Sequence, residues 1–470
     1  MKRIAIVGGG ISGLTAAFRL EKYRSEGIDY VLFESGANFG GVIRTERYSD
    51  CLIEAGPDSF LSEKPWAADL CRDLGLGGEL IGSNDRARKT WILLHGRLVP
   101  LPEGLMFMVP TDFRATLFSP LFSWSTRVRI LREWFFRAQD HEDESVADFV
   151  RRHYGYEMVE RVADPLLAGV YGGAAGELSV QSVLPRFAEI EARQGSLGRA
   201  LIASRKLHQA DPSRPMFTSL KGGMQQLIEA LVARVPETSR RNSTRVAEVK
   251  PESGRWLIIT GERRTEEFDA VIVATPACCA VEFLQSASPD LAAELSAIPY
   301  SSSVTITLAF DSRTRATLPA RFGILAPRSE RRRILAATFV HNKFPQRAPD
   351  NIALVRCFLG GSQDQQAVDL PERELQQIAL DEFSQMLGIP AAPLFTRIHK
   401  WKKAMALYTV GHKARLERIR GLNAGLPGLA LAGNAYSGIG VPDCVRSGTE
   451  AARRVLGDLG IRLSSSVSAG

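Results

Sequence analysis

The chain opens on a β-rich apolar run, Lys2 to Val7, which breaks into glycines and resumes as a helical pattern over Leu14 to Tyr23. A second β-rich run, Tyr30-Val31-Leu32-Phe33, closes on Glu34. Trp91 to Pro102 reads as a hairpin turning at His95-Gly96. From Leu105 to about Leu207 the pattern is mostly helical, with breaks at Ser145, Ser182 and Pro185. Lys221-Gly222-Gly223-Met224 starts a helix to Val235, followed by short strands over Thr244 to Val249, Arg255 to Thr260 and Phe268 to Val273. Residues 300–360 are strand-rich, 371–387 helical, and 395–403 a strand carrying Trp401. Two buried-type runs stand out, Phe268 to Pro276 and Leu429 to Asn434. The second leads through Gly438-Ile439-Gly440-Val441-Pro442 into a helix to Leu459, and Pro442 suits its first turn. The small, polar tail Ser464 to Gly470 is expected to be disordered.

The strand–glycine–helix opening carries chemistry. In Gly8-Gly9-Gly10-Ile11-Ser12-Gly13, Gly8 makes the tight turn, Gly10 admits a pyrophosphate against the backbone, and Gly13 lets helix and strand pack closely. The helix start turns unpaired N–H groups and its positive dipole end toward phosphates. Glu34 is placed to accept from the hydroxyls of an adenosine ribose, and its charge disfavours a 2′-phosphate, so NADP is not expected. Gly40-Gly41 brings the chain past the cofactor a second time, which an extended FAD needs and a simple NAD site does not. The late runs to Thr275-Pro276 and Gly433-Asn434 then assemble the cofactor fold from both ends of the chain. The helix starting at Gly440-Val441-Pro442 is expected to set positive potential beside the flavin pyrimidine ring.

Composition narrows the reading. A chain of 470 residues with 45% hydrophobic residues has core enough for two or three domains. The 59 basic and 52 acidic residues leave a net charge of +7, scattered and without any nucleic-acid module, so no nucleic-acid partner is expected. Cysteines 51, 71, 278, 279, 357 and 444 show no CxxC and no metal spacing, which argues against a flavin disulfide reductase and against a metal site. Cys278-Cys279 reads as a buried pair of small residues rather than a disulfide, and free thiols fit a reducing cytoplasm. Lys2 and Arg3 lead straight into the first strand without a signal peptide. No apolar run reaches the roughly 18 residues needed to span a bilayer.

The segment 105–137 is rich in aromatic residues (Phe107, Phe118, Phe122, Trp124, Trp134, Phe135, Phe136), with Arg127, Arg129, Arg132 and Arg137 interleaved. A helical lining of an apolar pocket is the preferred reading; an interfacial membrane surface with basic anchors is the other, and the two can hold on different faces.

Taken together, these motifs resemble the FAD-dependent amine-oxidase superfamily, and within it the oxygen-dependent protoporphyrinogen/coproporphyrinogen oxidases of haem biosynthesis. The wider resemblance rests on Gly8 to Gly13, Glu34, Gly40-Gly41, Val271 to Pro276 and the Gly433 region. The narrower one rests on Glu54 to Phe60, on Asp164 to Gly173, on Trp401 with Met405, Tyr408, Gly411 and His412, and on Gly438 to Cys444. Val42 stands where many members carry Arg, and Asn434 where Asp is commoner.

The resemblance implies an α/β chain with a Rossmann-like, p-hydroxybenzoate-hydroxylase-like FAD domain (1–85, 216–290 and 406–470) and a mixed-sheet substrate domain (86–104 and 291–405). The third part is a helical domain (105–215), for which membrane association is left open. The resemblance implies FAD contacts from Gly8, Gly9, Gly10, Ile11, Ser12, Gly13, Glu34, Ser35, Gly41, Val42, Gly56, Pro57, Asp58, Ser59, Val246, Thr275, Trp401, Gly433, Asn434, Gly440, Val441 and Pro442. Gly169, in a glycine loop over the flavin, is expected against the macrocycle, with a helix-terminal glycine as the competing reading. Lys64, Arg88, Lys89 and Arg97 are candidates for the substrate's propionates, although each alone also reads as a surface charge. His412 is expected to be structural rather than a base.

The implied reaction is six-electron aromatisation of a porphyrinogen with O2 as acceptor and H2O2 as product. One cofactor fingerprint and no second NAD(P)H-type motif mean that the substrate itself must reduce the flavin. A different flavin amine oxidase or a carotenoid-type desaturase is the alternative, and a non-enzymatic flavin-binding regulator a third. The protein is expected to be cytoplasmic and at most loosely attached to the inner face of the membrane. A homodimer, and the choice between the two porphyrinogens, stay open.

Overall fold

The computed structural model describes residues 1–139, 141–207, 214–389 and 392–462. The tail expected to be disordered lies outside them.

Strand Lys2–Val7 sits in a five-stranded parallel sheet in the order Arg240–Arg241, Ile28–Phe33, Lys2–Val7, Ala270–Val273, Leu429–Leu431. Its inner strands are covered on both faces, which explains their unbroken apolar runs. Helices Ile11–Glu21 and Val441–Asp458 lie side by side, so closely that a Cβ at Gly448 would run into the Ser12 backbone. The run expected as one strand from Phe268 to Pro276 is two. Asp269 breaks it, accepting from the Arg3 N–H (2.8 Å) and the Lys2 ammonium (3.2 Å). Thr265–Phe268 instead closes an antiparallel meander with Arg255–Thr260 and Val246–Glu252, and only Ala270–Val273 enters the parallel sheet.

Segments 90–100 and 300–406 build a seven-stranded mixed sheet in the order 395–406, 300–310, 353–360, 336–339, 323–325, 90–94, 97–100. The hairpin turns at His95 (φ 51°) and Gly96 (φ 72°), as its sequence predicts. Helix Glu372–Leu387 covers this sheet, setting Leu375, Ala379 and Phe383 against Ile306, Leu308 and Phe310.

Between the two sheets in sequence lie helices from Phe113 to Leu207, preceded by a small two-stranded turn, Leu105–Met106 with Val109–Pro110. Ser145 caps helix Val146–Tyr154, accepting from the Asp148 N–H (3.0 Å). The centre of these helices is polar. The fully buried His153 ring lies 3.1 Å from Glu191 and 3.4 Å from Glu133, and Arg152 clasps Glu191 and Glu144.

The aromatic segment divides between an inward and an outward face. Met108, Leu121, Phe122 and Ile130 are core, but Phe118 (80%), Trp124 (78%) and Phe135 (79%) face outward, with Val128 and Leu131 half exposed beside them. Phase decides this: on helix Trp124–Glu133 the buried positions 126, 130 and 133 follow helical spacing, which leaves 124, 128 and 131 on the opposite face.

Candidate functional site

The glycine loop has the form that its sequence requires. Gly8 takes φ 111°, and a Cβ there would press on the Ala274 carbonyl. A Cβ at Gly13 would collide with the Gly8 carbonyl, so that glycine serves helix–strand packing. Gly10 differs. Its backbone is ordinary (φ −73°), and a side chain added there would meet no protein atom within 4 Å. No neighbour within the chain demands glycine at that point, and the space beside its backbone is open.

Gly40-Gly41 returns to the same place. The Gly40 N–H donates to the Gly9 carbonyl (2.8 Å), and a Cβ on Gly41 would lie 3.5 Å from the Gly10 Cα. Two glycine pairs thus meet backbone to backbone at the start of helix Ile11–Glu21, a cradle fitted to a pyrophosphate. Glu34 ends the neighbouring strand and accepts from the N–H groups of Gly9 (2.8 Å) and Gly36 (2.7 Å), with the exposed Ser35 hydroxyl at 3.3 Å. The Thr244 N–H donates to the Glu34 carbonyl, which brings Val246 up to this strand end.

Segment 54–60 is fixed by charges that the sequence reading missed. Glu54 accepts from Thr45 Oγ1 (2.7 Å) and the Met224 N–H (2.9 Å) and pairs with Arg347 (3.2 Å). Asp58 pairs with Lys343 (2.9 Å) and accepts from Ser59. Arg356 donates to the carbonyls of Ala55 and Gly56. Burial raises the Glu54 carboxyl, outweighing Arg347. Burial works against Asp58 too, but Lys343 and Arg356 overcome it and hold that carboxyl well below its usual range. The side chains of Asp58 and Ser59 therefore both engage Lys343. The sole signal for Arg356 is its place inside the apolar run Leu354-Val355-Arg356-Cys357-Phe358; Lys343 and Arg347 carry none.

Trp401 donates its indole N–H to the Ala55 carbonyl (2.8 Å), and Thr305 Oγ1 donates to the same oxygen (3.0 Å), tying the seven-stranded sheet to this segment. A Cβ on Gly56 would collide with the Val42 carbonyl, so the segment passes directly over the second glycine pair.

The C-terminal elements close the cradle. Thr275 Oγ1 is buried with no hydrogen-bond partner, beside Gly433, whose φ of 128° admits glycine far better than other residues. Asn434 donates to the Ala404 carbonyl (3.0 Å), a neutral hydrogen bond that reaches the other sheet. At the start of helix Val441–Asp458 the Asp443 carboxylate accepts from the Gly440 N–H (3.3 Å) and pairs with Lys64 (2.6 Å). The ammonium of Lys64 offsets that carboxylate beside the helix dipole.

Tyr171 lies near the same helix start; burial and the Asp443 charge push its hydroxyl up to about 12. Tyr171 ends helix Asp164–Tyr171, which follows a π-helical turn, Val159–Ala163. Gly169 is therefore not in a loop, as expected above, but in the last turn of that helix. It is exposed, and a Cβ placed on it would meet no protein atom within 4 Å.

Other expectations narrow. The Ser12 hydroxyl is spent on the Cys444 carbonyl (2.9 Å) and is buried, so only its backbone is available to a phosphate. Val42 is 41% exposed. The four proposed propionate cations do not form one cluster around a shared partner: Lys64 holds Asp443, Arg88 lies 3.9 Å from Asp85, Lys89 pairs with Glu103, and Arg97 is exposed at the hairpin. His412 is fully buried, stacks on Tyr408 at 4.2 Å, and is pushed down to about 4 by burial and Arg415, so it is neutral near pH 7 and structural. Tyr408 does more than the sequence suggests: its hydroxyl donates to the Asn434 carbonyl and accepts from the Gly438 N–H, both at 2.8 Å. Cys278 and Cys279 are half-buried and exposed respectively, not the buried pair expected.

A parallel sheet with a glycine-rich first turn, a second glycine pair and a C-terminal strand and helix, joined to a mixed-sheet domain, defines a flavin-binding oxidoreductase fold. The chain belongs to the flavin containing amine oxidoreductase family, which it matches over residues 11–456. It is 30% identical to the coproporphyrinogen III oxidase of Bacillus subtilis, over 96% of this chain and 97% of that one. It is 27% identical to protoporphyrinogen oxidase 2 of Arabidopsis thaliana, over 97% and 94%. A crystal structure from Exiguobacterium sp. 255-15, provisionally named a protoporphyrinogen oxidase, superimposes with a TM-score of 0.86 at 29% identity, covering 98% of this chain and 99% of that one.

Proposed function

We propose that this chain is an FAD-dependent oxidase that aromatises a porphyrinogen, with coproporphyrinogen III as its first substrate. The observation that carries the reading is the full-length similarity to coproporphyrinogen III oxidases, 30% for the Bacillus subtilis enzyme and 32% for that of Mycobacterium tuberculosis, against 27% for the Arabidopsis protoporphyrinogen oxidase. The cradle at Gly10 and Gly41, the unpartnered Thr275 hydroxyl and the helix start at Gly440 fit FAD. FAD held by these residues would supply a hydride acceptor whose electrons pass on to oxygen. Each of three cycles removes two electrons and two protons from the macrocycle and reduces one O2 to H2O2, six electrons in all.

The chain's own work is to bind, orient and keep water out. Gly10 and Gly41 admit the pyrophosphate, and Glu34 takes the ribose hydroxyls. The buried cations Lys343, Arg347 and Arg356 hold segment 54–60 in place. Gly169, with no side chain in the last turn before Tyr171, gives the macrocycle room to approach. Lys64, Arg88, Lys89 and Arg97 are the candidate cations for the propionates. No charged base is required, because the pyrrole N–H becomes acidic as hydride leaves.

Purified protein given each porphyrinogen in air, with porphyrin fluorescence and peroxide followed together, tests this. Three H2O2 per porphyrin and a higher kcat/KM for coproporphyrinogen III are expected. Turnover of an amine or a carotene without porphyrinogen activity would overturn the reading.

Among the described residues no helix is long and apolar enough to cross a membrane. The outward Phe118, Trp124 and Phe135, beside Arg129 and Arg132, support loose attachment to an anionic bilayer.

A further inference from the structure

We propose that the helical region carries a discrete site for the phosphate of an anionic phospholipid headgroup, in the cavity between helix Trp124–Glu133 and the end of helix Val146–Tyr154. The inference rests on the loose membrane attachment proposed above and adds to it a site that selects its lipid.

The cavity is open, measures about 470 Å3, and has Ser125, Arg129, Arg151, Arg152, Tyr156 and Glu157 in its lining. Most of its charges are already spent. Arg152 clasps Glu144 and Glu191. Glu157 accepts from the Ser123 N–H (2.8 Å) and pairs with Arg161 (3.1 Å). Arg151 reaches Asp148 (2.7 Å), but both side chains are exposed, and such a pair holds weakly. Arg129 is the exception, with neither a hydrogen bond nor an ion pair among the described residues. Its place is nonetheless fixed. The aliphatic stem lies against Gly155, which ends helix Val146–Tyr154 at φ 91°, and a Cβ there would press within 2.7 Å of the Arg129 Cδ. The cavity thus holds one uncommitted guanidinium, with the hydroxyls of Ser125 and Tyr156 as further donors in its lining. A guanidinium fork matches two phosphate oxygens at once.

The neighbouring residues say what the phosphate belongs to. On helix Trp124–Glu133, Ser125, Arg129 and Arg132 recur at helical spacing and form one polar stripe. The adjoining stripe is apolar and outward: Trp124 (78% exposed), Val128 (51%), Leu131 (49%) and, just past the helix end, Phe135 (79%). Arg127 steadies Trp124, stacking over its ring at 4.9 Å while donating to the carbonyls of Phe122 and Ser119, both at 3.0 Å. Inorganic phosphate would use the cavity alone. A phospholipid uses both stripes, with its head in the cavity and an acyl chain along the apolar row. The chain's net charge of +7 favours an anionic headgroup over a zwitterionic one.

The test titrates the flavin-loaded protein by calorimetry with three probes: dihexanoylphosphatidic acid below its micelle concentration, dihexanoylphosphatidylcholine, and inorganic phosphate. The phosphatidic acid should bind about tenfold or more tightly than either of the others, because it alone joins an unmasked phosphate to acyl chains. Arg129→Gln should weaken that binding about tenfold or more. Arg129→Lys, which keeps the charge and loses the fork, should fall between. Arg420→Gln, which removes an exposed charge from helix His412–Ala424, should bind as the parent does. Trp124→Ser should weaken the lipid and leave inorganic phosphate unchanged. All variants are compared at equal flavin content. Equal affinity for the lipid and for inorganic phosphate would overturn the lipid as ligand, and an Arg129→Gln protein that binds like the parent would overturn the site. Protein that sediments with vesicles of phosphatidylcholine and phosphatidic acid but does not bind the soluble lipid would also overturn the site, while leaving the membrane attachment in place.

Discussion

At the scale of the residue, glycines with the same spelling do different work. Gly13 and Gly8 are required by protein neighbours, whereas a Cβ added at Gly10 would meet no protein atom within 4 Å. Replacing Gly10 with valine should leave the melting of the flavin-free protein within about 0.5 kcal/mol of the parent, since nothing is struck. It should abolish FAD retention, read as the flavin-to-protein absorbance ratio after gel filtration. A yellow, stoichiometric Gly10→Val protein would remove the cradle from the account. Asp58 makes the opposite case, a side chain needed by the fold. Asp58→Asn strips the counter-charge from Lys343 and Arg356 while both remain buried, and should cost about 3–5 kcal/mol in denaturant unfolding.

At the scale of the element, the strands and glycine turns of the cofactor half were legible because local chemistry decides them. Lys2–Val7 needs its apolar run and Gly8 its turn. The misreadings came where long-range contacts decide. Asp269 splits a continuous apolar run because Lys2 and Arg3, far away in sequence, claim its carboxylate. Lys343 and Arg347 gave no local sign that they would hold segment 54–60.

The polar heart of the helical region was equally silent, and it carries a pH signature. Burial raises the Glu191 carboxyl less than His153 and Arg152 lower it, leaving it at about 2, against an ordinary 4.5. Its contribution to stability is present above pH 4.5 and is lost as pH falls toward 2. Burial lowers His153, but the nearby carboxylates of Glu133 (3.4 Å) and Glu191 (3.1 Å) prevail and raise it above 6.5. That contribution is complete below pH 6.5 and fades as pH rises through the raised value. Melts recorded across pH 3–9 should therefore peak between about 4.5 and 6.5 for this region. His153→Gln should flatten the alkaline side and also weaken the acidic side, since Glu191 then keeps only Arg152 to lower it.

At the scale of the whole molecule, the outward aromatic face and the cofactor cradle lie in different parts of the chain and should respond separately. Sedimentation with anionic vesicles should be weak and reversed by salt, since the Debye length shrinks from about 10 Å at 0.1 M to about 3 Å at 1 M. Replacing Trp124 and Phe135 with serine should abolish it without changing flavin content. Binding that resists high salt would mean that the face inserts more deeply.

The order of strands in the parallel sheet has a consequence for biosynthesis. Its edge strand Leu429–Leu431, and the helix after it that packs on Ile11–Glu21, are made last, more than 400 residues after the first strand that they complete. On a ribosome adding about 5–20 residues per second, the glycine turn waits tens of seconds for the elements that close it. Until residue 458 has emerged, the nascent chain holds half of a cradle and an open sheet edge. Stable flavin capture thus reports that translation has passed residue 458, and chains truncated before Leu429 should leave the ribosome colourless and bound for proteolysis.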